Sequence, residues 1–305
     1  MDVKVVNEVI ILSLMMMVGV FARKKDIITK ETVGSLSDFL LKVTLPAMVL
    51  TSFNYSYSEK MVKNAEDIFI YAAILQIGLI LFSKLLTFKN KDNAKKVLRF
   101  IIIFSNSGFM GYPVLEGIFG KIGIFYAAIF NIPYNIFMFS VGIMIYTEKS
   151  DLKTTKEVVL NPAIIATVIG FLMFLFSIKM PYTLYTAASA VGAMTTPLSM
   201  ILVGAMLAEV KLKDIFSGVL VYYGCFLRLI LVPIFTVLLL KILHTDNLII
   251  QICAIIEAMP AAVVASVFAQ KYRADTELAA RIIFMSTIMS MFTIPAVTLF
   301  LKYII

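Results

Sequence analysis

The residues best placed to do chemistry in this chain are amides, hydroxyls and glycines rather than acids and bases. The segment Phe104-Ser105-Asn106-Ser107-Gly108-Phe109-Met110-Gly111-Tyr112-Pro113 sets three small polar residues, two glycines and a proline inside an otherwise apolar run. A second apolar run carries Glu257-Ala258-Met259-Pro260-Ala261-Ala262. Proline removes a backbone donor and clashes with the preceding turn, and glycine permits the irregular backbone that results. At membrane depth such a break is tolerated only where protein or a water-filled cavity satisfies the freed groups. Proline also suits the first position of a helix, so Pro113 and Pro260 are each expected to open a second half-helix. The unpaired N–H groups and positive dipole ends of two such half-helices make an anion site where they converge. Asn106 would add an amide donor for a carboxylate, with Ser105, Ser107, Gly108, Gly111 and Ala261 as neighbouring contacts. A plain proline kink in a packed helix is the alternative for either segment.

Other polar residues fall inside apolar runs, where their cost makes function the first hypothesis. Glu257 admits three readings: a proton carrier, a partner for Arg228 or a cation, or a site near the surface. Arg228 either anchors a substrate carboxylate through a bidentate contact or ties helices together by bonding carbonyls. Asn131 and Asn135 line a cavity or bond across helices. Thr195 and Thr196, before Pro197, cap an unwound turn or mark a simple kink. Lys42 snorkels, and Glu116 belongs nearer the outer face. An intramembrane enzyme would need clustered acids, histidines or a metal set. His244 is the single histidine and falls in a loop, and Cys225 and Cys253 have no metal-type spacing. No catalytic residue, metal or cofactor is expected.

These residues must be positioned by elements that can live in lipid. The chain of 305 residues is 61% hydrophobic and only 15% charged, with a mean hydropathy of +0.96, less charge than a soluble surface requires. A bilayer core takes about 20 apolar residues at helical rise. Runs of this length predict ten spans: 3–22, 32–53, 66–88, 95–117, 122–146, 161–178, 182–208, 215–243, 247–269 and 277–303. They lack the period-two pattern of barrel strands. Residues 3–22 read as the first span rather than a cleaved leader, because the basic cluster follows the apolar block. The whole of 1–305 is then a single transmembrane domain. Lys and Arg concentrate at one set of span ends, as in Arg23, Lys24, Lys25 and Lys30, then Lys89, Lys91, Lys95, Lys96 and Arg99. That side is cytoplasmic by the positive-inside rule, and an even number of spans puts both termini outside. The net charge of +8 therefore faces anionic lipid rather than nucleic acid.

The halves echo each other. Thr44-Leu45-Pro46-Ala47-Met48 parallels Thr195-Thr196-Pro197-Leu198-Ser199, Pro113 parallels Pro260, and Asn131-Ile132-Pro133 parallels Thr293-Ile294-Pro295. Five spans per copy invert the second copy, giving repeats over 1–147 and 161–305 joined by a cytoplasmic linker at 148–160. Inverted repeats are a secondary-transporter architecture.

The motifs resemble the auxin efflux carrier family, which includes bacterial malate- and malonate-type permeases and the plant PIN carriers. Asn106-Ser107-Gly108 with Gly111-Tyr112-Pro113 is similar to the family's Asn-Thr-Gly…Gly-x-Pro signature. Met259-Pro260-Ala261-Ala262-Val263, followed by Phe268-Ala269-Gln270-Lys271-Tyr272, is similar to its second signature. Arg228…Pro233 and Asn161-Pro162 also fit. The resemblance implies an all-α integral membrane fold of ten helices, with broken, crossed helices four and nine. It implies elevator-type exchange of a small organic anion across the cytoplasmic membrane, by a homodimer. The family's substrate-contacting asparagine maps onto Asn106 and its crossover prolines onto Pro113 and Pro260. Val264 stands where many bacterial relatives carry asparagine, and Gln76 is the main polar residue of span three, where the plant carriers have an acid. Protons or Na+ are the candidate coupling ions. A cation/proton antiporter or sodium-coupled symporter of related architecture is the alternative; it would favour carboxylates over amides at the crossing.

Overall fold

The computed structural model describes residues 2–87, 92–147, 160–208 and 218–304. The expected linker at 148–160 lies outside them except for Leu160. The described residues form helices and connecting turns, with one isolated β-bridge. In chain order the helices are α1 (Asp2–Lys24), α2 (Lys30–Ser52), α3 (Glu59–Thr87), α4 (Asp92–Ile103), α5 (Tyr112–Phe119) and α6 (Lys121–Thr147). They continue with α7 (Pro162–Leu175), α8 (Tyr182–Leu207), α9 (Val219–Ile242), α10 (Asn247–Glu257), α11 (Val264–Lys271) and α12 (Thr276–Ile304). Seven of them, α1, α2, α3, α6, α8, α9 and α12, are long and apolar enough to cross a membrane. The expected span 95–117 is divided between α4 and α5, and 247–269 between α10 and α11.

Proline shapes these helices in a regular way. Five-residue π turns at Leu40–Thr44, Ser107–Gly111 and Leu227–Leu231 each end two residues before a proline, at Pro46, Pro113 and Pro233 respectively. A proline cannot donate to the carbonyl one turn back, and its ring crowds that carbonyl. Widening the preceding turn to i→i+5 bonding accommodates both effects without ending the helix.

Two groups of helices result. Helices α1, α2, α7 and α8 pack mainly on one another, while α3–α6 and α9–α12 form a second body. The groups meet where α1 touches α5 and α12, where α8 touches α5 and the π turn at Ser107–Gly111, and where α6 touches α2 and α7. Polar ties join them at one end: Thr196 Oγ1 donates to Glu116 Oε2 at 2.7 Å, and Lys121 Nζ donates to the Tyr185 hydroxyl. Apolar side chains such as Ile10, Leu14, Met17 and Phe21 of α1 face outward, as a lipid solvent demands. Arg228, Glu257, Gln76 and Asn106 are buried inside.

The first group is held by backbone-to-backbone approach. A Cβ placed on Gly19 would stand 2.0 Å from the Ile201 carbonyl oxygen, and one on Gly204 1.9 Å from that of Met16. Small residues at such crossings are what permit close packing where lipid supplies no hydrophobic drive between helices. Gly204→Leu is therefore expected to cost at least the roughly 1–3 kcal/mol of core overpacking, because backbone rather than a side chain must yield. Gly34→Ala, where nothing lies within 4 Å, should be neutral or stabilising by up to about 1 kcal/mol. Thermal unfolding of the two variants in detergent checks the contrast.

Candidate functional site

The two breaks cross. Between α4 and the π turn at Ser107, and between α10 and α11, the chain leaves the helix, and Ser105 lies opposite Ala261 in an antiparallel bridge. The Asn106 N–H donates to the Pro260 carbonyl at 2.8 Å, and the Ala262 N–H to the Phe104 carbonyl at 3.3 Å. The Ala261 N–H donates to Ser286 Oγ of α12 at 3.2 Å. The Tyr134 hydroxyl of α6 donates to the Ser105 carbonyl. Each broken segment thus satisfies much of the other's backbone.

The second half-helices do not begin at the prolines. The first begins at Ser107, where Asn106 is the cap and its Oδ1 accepts from the Phe109 N–H at 3.3 Å. Pro113 is then inside a helix already under way, admitted by the π turn. The second begins at Val264, and Pro260 lies in the crossing, where it needs no N–H and uses only its carbonyl. Pro113 and Pro260 are not equivalent positions; Ser105 and Ala261 are the pair that face each other.

At the other ends of the same breaks sits Arg228, brought in by the π turn of α9 and 0% exposed. Its Nε donates to the Met259 carbonyl at 3.0 Å and its Nη1 to the Ile102 carbonyl at 2.8 Å. Its Nη2 donates to the Glu257 carbonyl and, at 2.7 Å, to Glu257 Oε2. Glu257 is also 0% exposed, and its Oε1 accepts from Gln76 Nε2 of α3 at 3.1 Å. One guanidinium therefore satisfies a carbonyl in the last turn of α4, the Glu257 carbonyl that ends α10 and the Met259 carbonyl just past it, and its charge sits at the negative dipole ends of both helices. The alternatives for Arg228 and Glu257 resolve in this geometry to a pair that ties carbonyls, set apart from the cavity.

The cavity lies on the half-helix N-terminal side of the crossing and holds about 250 Å³. Ser105, Asn106, Ser107, Gly108, Asn131 and Val264 line it. Gly111, Pro113, Pro260, Ala261, Glu257, Arg228 and Thr195 do not. Gly111 instead packs in the crossing, where a Cβ would meet Ser107 Cβ at 3.5 Å and Met259 Cγ at 3.8 Å. The Thr195 hydroxyl is buried and caps nothing.

Several walls escaped sequence reasoning. The cavity also touches Asp38 and Lys42 of α2, Tyr134 of α6 and Asn161 before α7. Lys42 reaches the surface as expected, its side chain 61% exposed, and there its Nζ also pairs with Asp38 Oδ2 at 2.6 Å on the cavity rim. Asn161 caps α7, its Oδ1 accepting from the Ala163 N–H at 2.9 Å. Its Asn-Pro sequence is an ordinary helix-start signal, and nothing in that signal points to a cavity.

The polar inventory of the cavity is uneven. Ser107 Oγ is taken by Asn131 Oδ1 at 2.7 Å, and Asn131 Nδ2 by the Ala127 carbonyl at 2.8 Å. Asn106 Nδ2 and Ser105 Oγ have no protein partner, although the residues are only 4% and 1% exposed. Unsatisfied buried groups of this kind are few in native proteins. They lie beside the starts of two helices, each carrying about half a positive charge. The arrangement can hold a small anion that accepts hydrogen bonds. Its volume is below the roughly 300–1,000 Å³ typical of sites for drug-sized ligands.

Comparison with known proteins places the chain among carriers. A family model described as membrane transport protein matches residues 4–298. The chain is 23% identical over 299 residues to an uncharacterised transporter of Methanocaldococcus jannaschii, covering 94% of this chain and 96% of that protein. It is 24% identical over 288 residues to one of Methanothermobacter thermautotrophicus, covering 92% and 93%. Against the uncharacterised transporter YfdV of Escherichia coli the identity is 20% over 285 residues, covering 89% of both.

The geometry separates a residue that holds the crossing together from one that faces the cavity. Arg228→Ala leaves a buried carboxylate and three carbonyls without their donor, and should cost about 3–5 kcal/mol. Asn106→Ala loses a single cap and should cost about 1 kcal/mol. Equilibrium unfolding of the two variants is the check; equal losses would mean the crossing is not organised around Arg228.

Proposed function

The chain belongs to the auxin efflux carrier family of membrane transport proteins, and on that premise we propose that it is a secondary transporter of a small organic anion, such as malate, malonate or an auxin-like acid. The carrying observation is the pair of unpartnered groups, Asn106 Nδ2 and Ser105 Oγ, beside two helix starts on one cavity. A carboxylate supplies the acceptors that the Asn106 amide and the free N–H groups of these starts lack. Charge-assisted hydrogen bonds of this type are the strong ones. Gly108 lines the same cavity, and a Cβ there would meet no atom within 4 Å, so this wall stays open for the guest.

The reading extends to how the guest moves. We read ten passes in two inverted repeats, with both termini outside the inner membrane; the division of helices into two groups supports the repeats. Each half of the chain gives two consecutive spans to the first group (α1 and α2, then α7 and α8) and three to the second. The cavity lies between the groups, which suits elevator-type exchange: the second body carries the crossing past the first. Asp38, Lys42 and Asn161 lie towards the span ends rich in Lys and Arg, so the cavity opens to the cytoplasm. A homodimer is the assembly expected of this family. The alternative of a carrier driven by Na+ or protons through a carboxylate at the crossing has Glu257 to call on, and Arg228 and Gln76 already engage it.

In proteoliposomes loaded with a panel of organic acids, Asn106→Ala should lower uptake about ten- to hundredfold. This range follows from the roughly 1.5–3 kcal/mol of a hydrogen bond to a charged group. Uptake equal to wild type for every transported acid would remove Asn106 from the site.

A further inference from the structure

The buried polar cluster that the anion site leaves unused is Arg228, Glu257 and Gln76. The oxygens around the guanidinium are the Ile102 carbonyl in the last turn of α4, the Glu257 carbonyl that ends α10, the Met259 carbonyl two residues beyond it, and Glu257 Oε2. All are hard donors of the kind that bind alkali and alkaline-earth cations. Those of Ile102 and Glu257 lie at the C-terminal ends of two half-helices and so carry their negative dipole ends. In transporters built from discontinuous helices, such ends coordinate the coupling Na+. Here that position is filled by a side chain. The guanidinium suits it because its donors diverge: Nε and Nη2 reach α10 while Nη1 reaches α4, a span that the single nitrogen of lysine cannot cover. Gln76 Oε1, on the residue that holds Glu257 from the other side, is buried without a partner.

We propose that Arg228 is the resident cation of the crossing, a tethered charge standing where a coupling metal ion would otherwise bind. The half-helix C-termini then stay neutralised through the whole cycle, and nothing is taken from solution to assemble the crossing. Transport by this chain is therefore independent of Na+. Removing the guanidinium opens a cation site built from the three carbonyls and the Glu257 carboxylate, with Gln76 Oε1 as a further oxygen. Only the uptake part of this inference rests on the anion-carrier reading.

The test uses the full chain in two assays. For the wild type, replacing Na+ by choline at constant ionic strength should leave both the melting temperature in detergent and the anion uptake in proteoliposomes unchanged. Arg228→Ala should melt lower, and Na+ or low-millimolar methylguanidinium should restore at least half of the loss, saturably, while choline restores none. Arg228→Lys keeps a charge in place and should not respond to Na+. A wild type whose uptake or melting depends on Na+ overturns the proposal. An Arg228→Ala protein indifferent to both cations, or an Arg228→Lys protein stabilised by Na+, does so too. If Arg228→Ala cannot be recovered folded, the wild-type and Arg228→Lys measurements decide. A wild type that takes up none of the acids would end the anion reading, while the melting data still judge the role of Arg228.

Discussion

A helix cut in the middle of a bilayer leaves carbonyls on one side of the cut and N–H groups on the other, with no water to receive either. This structure cuts two apolar segments, between α4 and α5 and between α10 and α11, and treats the sides of each cut differently. The carbonyl ends of α4 and α10 are closed by one guanidinium, whose charge is balanced by Glu257. The residues between are closed by two hydrogen bonds from one break to the other. The N–H ends keep polar groups in reserve beside a cavity. The fold tolerates the breaks because of the first two arrangements, and the third is what the breaks make possible. A buried ion pair seldom adds net stability over apolar packing, so Arg228 and Glu257 are better understood as the condition for crossing the segments at all.

Much of this was legible in the residues. Asparagine, serines, glycines and a proline inside an apolar run have few uses other than an interrupted helix, and the interruption is there. The cost of burying a lone arginine pointed to carbonyl partners, and Arg228 has three. The half-helix starts were not legible. They depend on Asn106 turning its own side chain back to cap Phe109, and on a π turn that lets Pro113 ride inside a helix. Both are choices between local geometries that composition leaves open. The alignment of Pro113 with Pro260 failed for a related reason: the eye matches prolines, whereas the crossing matches Ser105 with Ala261. Walls contributed by other helices, such as Lys42 and Asn161, carry no local signal, because their role comes from which helix lies opposite.

The division of helices has a mechanical side that begins with two glycines. Where Gly19 and Gly204 let the main chains of α1 and α8 touch, there is no cushion of side chains to shear. Surfaces in that kind of contact behave as a weld. If the second body moves as proposed, displacement falls at seams filled by side chains, and the seam of α6 with α2 and α7, with Leu41, Leu45, Met138 and Phe139 around the cavity, is of that kind. On that reading the fold carries its own slip plane, set by where a methyl group is left out.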